Sequence, residues 1–139
     1  MTADRITEIT NKLNLPLGEY VIFGGSTLSL SGIRDSKDID FFVTDKLAKQ
    51  LALNGWKEVL GEKPHLVKFI DGYEIQAFNV WNTGAWQPKI EEYIKNPEII
   101  KGLPCMPLEG LYEWKAATRR TKDLKDMELI KEYWDRSKN

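Results

Sequence analysis

Asp38 and Asp40 are the residues of this chain whose type and spacing most invite chemistry. One isoleucine separates them, and the apolar run Phe41-Phe42-Val43 follows. If that run is a strand with Asp38 and Asp40 at its start, alternation puts both carboxylates on one face. Carboxylate oxygens suit a hard divalent cation, which can in turn hold the oxygens of a phosphate. Upstream, the apolar run 20–23 ends in Gly24-Gly25-Ser26, and eleven residues separate Ser26 from Asp38. Two glycines let the backbone turn sharply and approach a ligand closely. A strand, a glycine turn and a helix start also present N–H groups suited to phosphate oxygens. Each feature has an ordinary structural reading too. Ser26 can simply cap a helix, and one aspartate can cap a turn while the other sits on an open sheet face. The conjunction of the two points to phosphate chemistry.

The surrounding pattern predicts the elements that must position these residues. Ile6, Ile9 and Leu13 give helical spacing over residues 3–14, broken by Pro16 and Gly18. Residues 20–23 read as a strand covered on both faces. Ser26 is expected to cap a short helix that Gly32 ends. Residues 38–43 form the second strand. Thr44 caps a helix over 45–54 that ends at Gly55. Residues 56–60 form a third strand, and Asp71-Gly72 joins strands 65–70 and 73–80 into a hairpin. Residues 82–88 form a loop. A helix over 89–95 stops before Pro97. Residues 103–107 read as an extended connector able to donate a short edge strand. Two C-terminal helices follow, from 108 onwards and over 123–135. This order predicts an α/β (α+β) domain with a small mixed β-sheet, flanking helices and a C-terminal helical segment. It is read as one domain over 1–139, with a core over 1–82 and a mainly helical part over 83–139.

Composition sets the boundaries. The chain has 139 residues, 42% hydrophobic and 29% charged, with a formal net charge of −1. That length can bury a real core, and the charge balance gives no sign of an overall basic nucleic-acid binder. The single Cys105 excludes an intramolecular disulfide and, without a cysteine cluster, argues against zinc. No apolar run approaches the ~20 residues of a membrane span, and the polar start lacks a secretory h-region. A cytoplasmic protein away from membranes is the expectation. His65 has no second ligand nearby, Cys105 no adjacent base, and the five tryptophans are expected to pack the core.

Lys115 stands out in the C-terminal part. It falls on the helix face of Leu111, Tyr112 and Ala116, where an apolar residue is expected. Arg119 lies one turn further along. Facing inward, the two could bind phosphates or pair with Asp123 and Asp126; alternatively Lys115 snorkels to the surface.

Phe23-Gly24-Gly25-Ser26, the loop Gly32-Ile33-Arg34-Asp35-Ser36-Lys37 and Asp38-Ile39-Asp40-Phe41 together resemble the nucleotidyltransferase superfamily, of polymerase-beta-like fold. The run from Lys115 to Asp126 is similar to one in small prokaryotic members, including abortive-infection toxins. The resemblance implies that Gly24, Gly25, Ser26, Arg34, Ser36 and Lys115 bind the nucleotide. It implies that Asp38 and Asp40 ligate Mg²⁺ or Mn²⁺. A third carboxylate, the base for the incoming hydroxyl, commonly lies about four positions after a turn glycine such as Gly72. That position holds Gln76, and Glu74 is two residues earlier on the same strand face.

The implied activity uses ATP or another NTP with magnesium. It transfers a nucleoside monophosphate to a hydroxyl of a protein, an RNA end or a small molecule, and releases pyrophosphate. In that reading Asp38, Asp40 and Glu74 are catalytic. The alternative is a catalytically impaired nucleotide-binding or toxin–antitoxin-type module of the same fold, in which the third carboxylate is lost.

Overall fold

The computed structural model describes residues 1–81 and 84–137. The expected division of the chain at 82/83 and the loop positions Asn82 and Thr83 lie outside the described residues. The elements are α1 (Ala3–Leu13), β1 (Tyr20–Phe23), α2 (Gly25–Leu30), β2 (Ile39–Val43), α3 (Asp45–Leu53), β3 (Lys57–Val59), β4 (His65–Ile70), β5 (Tyr73–Phe78), α4 (Ile90–Lys95), β6 (Glu98–Ile100), β7 (Leu103–Cys105), α5 (Leu108–Thr118) and α6 (Thr121–Ser137). The strands form one mixed sheet in the order β3-β4-β5-β2-β1-β7-β6. The central pairs are β1 antiparallel to β2 and β2 parallel to β5. No helix among the described residues is long and apolar enough to cross a membrane.

Period-two alternation divides the central strands between two cores. Tyr20, Ile22, Ile39, Phe41, Val43, Ile75 and Ala77 face one side, where α1 and α3 supply Ile6, Ile9, Leu47 and Leu51. Val21, Phe23, Phe42 and Phe78 face the other, against Trp86, Met106, Leu111 and Ile130 from α5, α6 and the connecting segments. Asp40 precedes Phe42 by two residues and therefore shares the second face. The Phe23 and Phe42 rings stack with centroids 3.7 Å apart, which fixes β1 against β2 beside Asp40.

Several local expectations change. Ser26 does not cap α2: the helix begins at Gly25, Gly24 occupies the cap position, and no side chain caps it. The Ser26 hydroxyl is used elsewhere, as described below. Residues 103–105 are not an edge strand. They lie inside the sheet, parallel to β1 at Ile22–Cys105, and β6 takes the edge through a hairpin turned at Lys101-Gly102. Arg119 does not face inward. It ends α5 in the left-handed conformation at φ 48° and is exposed.

Candidate active site

Strand pairing brings the glycine turn to the carboxylates. β1 and β2 run antiparallel with Phe23 opposite Asp40, so the turn after Phe23 lies beside the start of β2. Gly24 has φ 73° and ψ −148°, a conformation essentially confined to glycine. A Cβ there would stand 3.3 Å from Asp40 Oδ2 and 3.9 Å from the Trp114 ring. The bare backbone is thus what allows the turn to pass so close to the carboxylate.

The loop leading to Asp38 is held by its backbone. The Ile33 N–H donates to the Leu28 carbonyl at 2.9 Å, and the Met1 carbonyl accepts from the Ser36 N–H at 3.1 Å and the Ser29 hydroxyl at 2.8 Å. Ser26 and Ser36 both donate their hydroxyls to the Asp38 carbonyl, at 2.7 and 3.1 Å. Two serines from different segments therefore fix the backbone from which the first carboxylate projects.

The two carboxylates are electrostatically unsatisfied. Burial, then Asp38, then Glu74 push the Asp40 carboxyl up to about 7. Asp40 Oδ1 is buried with no hydrogen-bond partner among the described residues. Asp38 is also raised, by burial first and by Glu74 second. In the parallel β2–β5 register Gln76 stands beside Asp40, and Ile75 beside Ile39. Continuing one step puts Glu74 level with residue 38, on the face shared by Gln76 and Asp40.

A cleft of about 460 Å³ opens over this end of the sheet. It is lined by Gly24, Gly25, Arg34, Ser36, Asp38 and Asp40, and from the C-terminal helices by Trp114, Lys115 and Asp126. Lys37, Arg120, Lys122 and Lys125 complete a strongly cationic lining. A larger groove of about 620 Å³ lies between α3 and the β3–β4 hairpin. It belongs to the opposite sheet face, away from the aspartate pair, so the smaller cleft is the one that gathers the candidate residues.

The C-terminal wall is a buried ion network. Lys115 Nζ lies 3.1 Å from Asp126 Oδ2 and 3.4 Å from Asp123 Oδ1. Asp126 also accepts two hydrogen bonds from Arg34. Asp123 accepts from the Thr118 hydroxyl at 2.6 Å, the Arg120 N–H at 2.9 Å and the Arg120 guanidinium. Burial alone would raise both carboxyls, but these donors and cations hold both below the usual aspartate value.

Seven of the residues singled out in the sequence thus line one cleft: Gly24, Gly25, Arg34, Ser36, Asp38, Asp40 and Lys115. Ser26 lies behind it, buried, with its hydroxyl on the Asp38 carbonyl. Glu74 is half-buried on β5 and is not part of the lining. Among the described residues, no three His, Cys, Asp or Glu side chains converge closely enough to hold a metal by themselves. Trp114 and Lys125 also line the cleft, and nothing in their spacing distinguished them from core and surface residues.

No protein-family model and no curated protein matches this sequence. Solved structures do match its fold. A proposed nucleotidyltransferase of Thermotoga maritima (TM1012) superposes with a TM-score of 0.59 at 17% identity, covering 98% of this chain and 96% of its own. ANT(2″)-Ia, an aminoglycoside nucleotidyltransferase solved in complex with adenylyl-2″-tobramycin, superposes with a TM-score of 0.50 at 16% identity, covering 91% and 86%. The chain shares the fold of these two structures.

Proposed function

We propose that this chain is a nucleotidyltransferase that binds a nucleoside triphosphate with Mg²⁺ or Mn²⁺ and passes a nucleoside monophosphate to a hydroxyl, releasing pyrophosphate. The observation that carries the reading is the juxtaposition of Asp38 and Asp40 with the glycine turn and two cations in one cleft. Similar folds in two nucleotidyltransferase structures support it.

The residues fit a divalent cation. Asp40 Oδ1 is buried without a partner, and negative neighbours raise its proton affinity. Nearby positive charge would relieve both conditions. Two carboxylates without a third ligand nearby suit a metal whose remaining coordination comes from water and substrate phosphates. When bound, the metal supplies charge neutralisation at the phosphates and lowers the proton affinity of the attacking hydroxyl.

The chain's own residues do the rest. Gly24 and Gly25 let the polyphosphate approach the backbone, while Arg34, laid along that turn, and Lys115 offset its charge. The acceptor oxygen bonds to the α-phosphorus as the bond to the pyrophosphate oxygen breaks. Glu74, outside the cleft lining but one step along β5 from the residue paired with Ile39, is the group we assign to take the acceptor's proton. Gln76, next to Asp40, has no basic group, whereas the Glu74 charge is felt at both aspartates. Catalysis of this type is mainly positioning and charge stabilisation.

The reading is tested by melting the protein with and without ATP and Mg²⁺. Saturation at about 100 times Kd adds about 2.7 kcal/mol, a shift of roughly 5–10 °C for a domain of this size. The variant Asp38→Asn/Asp40→Asn should lose the metal-dependent part of that shift; an unchanged shift places the metal elsewhere. Incubation with each labelled NTP and cell lysate should yield a nucleotidylated product. No product with any of the four NTPs would remove the transferase reading.

A further inference from the structure

Arg34 and Lys115 come from distant parts of the chain, and one carboxylate grips both. Asp126 Oδ1 accepts from Arg34 Nε at 2.8 Å, and Oδ2 accepts from Nη2 at 2.9 Å, a bidentate fork between residues 92 apart. The same Oδ2 lies 3.1 Å from Lys115 Nζ. The Asp126 and Lys115 side chains are each 5% exposed, while Arg34 is 36% exposed and opens towards the cleft. Arg34 Nη1 donates to the Asp35 carbonyl at 2.9 Å and lies 3.5 Å from where a Cβ on Gly25 would stand. The guanidinium is thereby laid along the glycine turn.

Donor counting shows what remains for a ligand. Arg34 uses Nε–H and one N–H of Nη2 on Asp126, and one N–H of Nη1 on Asp35. Lys115 Nζ pairs with Asp126 at 3.1 Å and Asp123 at 3.4 Å and sits over the Trp114 ring, 4.8 Å from its centroid. One N–H on Nη1 and one on Nη2 have no partner among the described residues, and the Lys115 ammonium adds its charge beside them. Without Asp126 the two cations would repel each other, and a buried ammonium would lose a counter-charge.

We propose that Asp126 is a positioning residue, which sets Arg34 and Lys115 side by side as one anion-binding pair for the nucleotide's polyphosphate. This rests on the phosphate-binding reading of the cleft, but not on the metal or on transfer. The opposite role has the opposite sign. A carboxylate that merely occupied the phosphate's place would, once neutralised, leave tighter anion binding. The fork and the burial favour positioning, because Asp126 directs two N–H groups of Arg34 and holds the Lys115 ammonium beside them, while Arg34 keeps free donors.

The test is calorimetric titration of the full chain with inorganic tripolyphosphate in the absence of metal. Loss of one partner of a buried charge pair should make Asp126→Asn at least about ten-fold weaker than wild type. Asp126→Glu keeps the charge but displaces both cations by a methylene, and is expected between the two. Where transfer is measurable, Asp126→Asn should raise KM for the NTP while kcat changes much less. If wild type binds and Asp126→Asn binds as tightly or more tightly, this inference is overturned alone. A wild type that does not bind overturns the phosphate reading and this inference with it. If Asp126→Asn does not melt cooperatively, Asp126→Glu decides, and affinity equal to wild type overturns the proposal.

Discussion

Two pairs of aspartates serve one cleft, and they are treated in opposite ways. Asp38 and Asp40 lie on the sheet side, where burial and then Glu74 raise Asp38, and burial, Asp38 and Glu74 push Asp40 up to about 7. Asp123 and Asp126 lie on the helical side, more completely buried, yet both are held low by Lys115, Arg34, Arg120 and Thr118. Burial alone therefore does not set the state of a carboxylate; the donors around it do. The helical pair already has its cations and works as structure. The sheet pair has no such set of donors: Asp40 Oδ1 is buried without a partner among the described residues, and both carboxyls stay raised, which is the condition the proposed metal would relieve.

The comparison breaks most sharply at Asp123. Its side chain is fully buried and carries Lys115, Thr118 and Arg120. Asp123→Ala leaves Lys115 with one carboxylate and should cost about 3–5 kcal/mol, the usual cost of breaking a buried ion pair. Urea unfolding measures it. A loss under about 1 kcal/mol would mean that the helical pair is no more structural than a surface ion pair.

The pairs should also respond to pH in opposite directions. Asp40 has a folded value of about 7 against 3.8 for an ordinary aspartate, the value that holds for the unfolded chain. Between those values the folded state binds a proton that the unfolded state does not, so stability falls as pH rises through this window. Asp123 and Asp126 are depressed, so their contribution is present above the reference value of 3.8 and is lost as pH falls below it. Asp40→Asn should therefore stabilise the ligand-free protein at pH 8, on the order of 2 kcal/mol after allowing for partial solvent access, and have little effect near pH 4. Thermal melts across pH 4–8 check this. A destabilised Asp40→Asn at pH 8 would show that the carboxylate is already satisfied.

What was legible in the sequence follows the same division. Asp38 and Asp40 could be placed on one face because alternation along β2 is local. The Asp71-Gly72 turn was equally readable, and both residues have positive φ, 52° and 81°. Lys101-Gly102 turns the β6–β7 hairpin with the same signs, 51° and 80°. A lysine in the left-handed position concealed that signal, and the exposed three-residue β6 offers no alternation to find. Lys115 was conspicuous as a charge on an apolar helix face. Its partnership with Arg34 through Asp126 was not readable, because it depends on how α5 and α6 dock against the loop before β2. Ser26 shows the converse: its type suggested a cap, but tertiary packing directed its hydroxyl to the Asp38 carbonyl.

The smallest expected effect tests whether the helical pair is redundantly anchored. Arg120 makes a guanidinium contact to Asp123 at 2.8 Å, but its side chain is 47% exposed. Asp123 would keep the Thr118 hydroxyl, the backbone N–H of residue 120 and Lys115 if that side chain were removed. Arg120→Ala should therefore cost under about 1 kcal/mol, as for other half-exposed pairs, with metal-free tripolyphosphate affinity falling less than in Asp126→Asn. A loss approaching that of Asp123→Ala would show that the exposed guanidinium carries the network. The depressed state of Asp123 would then hang on a residue at the cleft rim that an incoming anion could draw away, and the contrast between a settled pair and a waiting one would no longer hold.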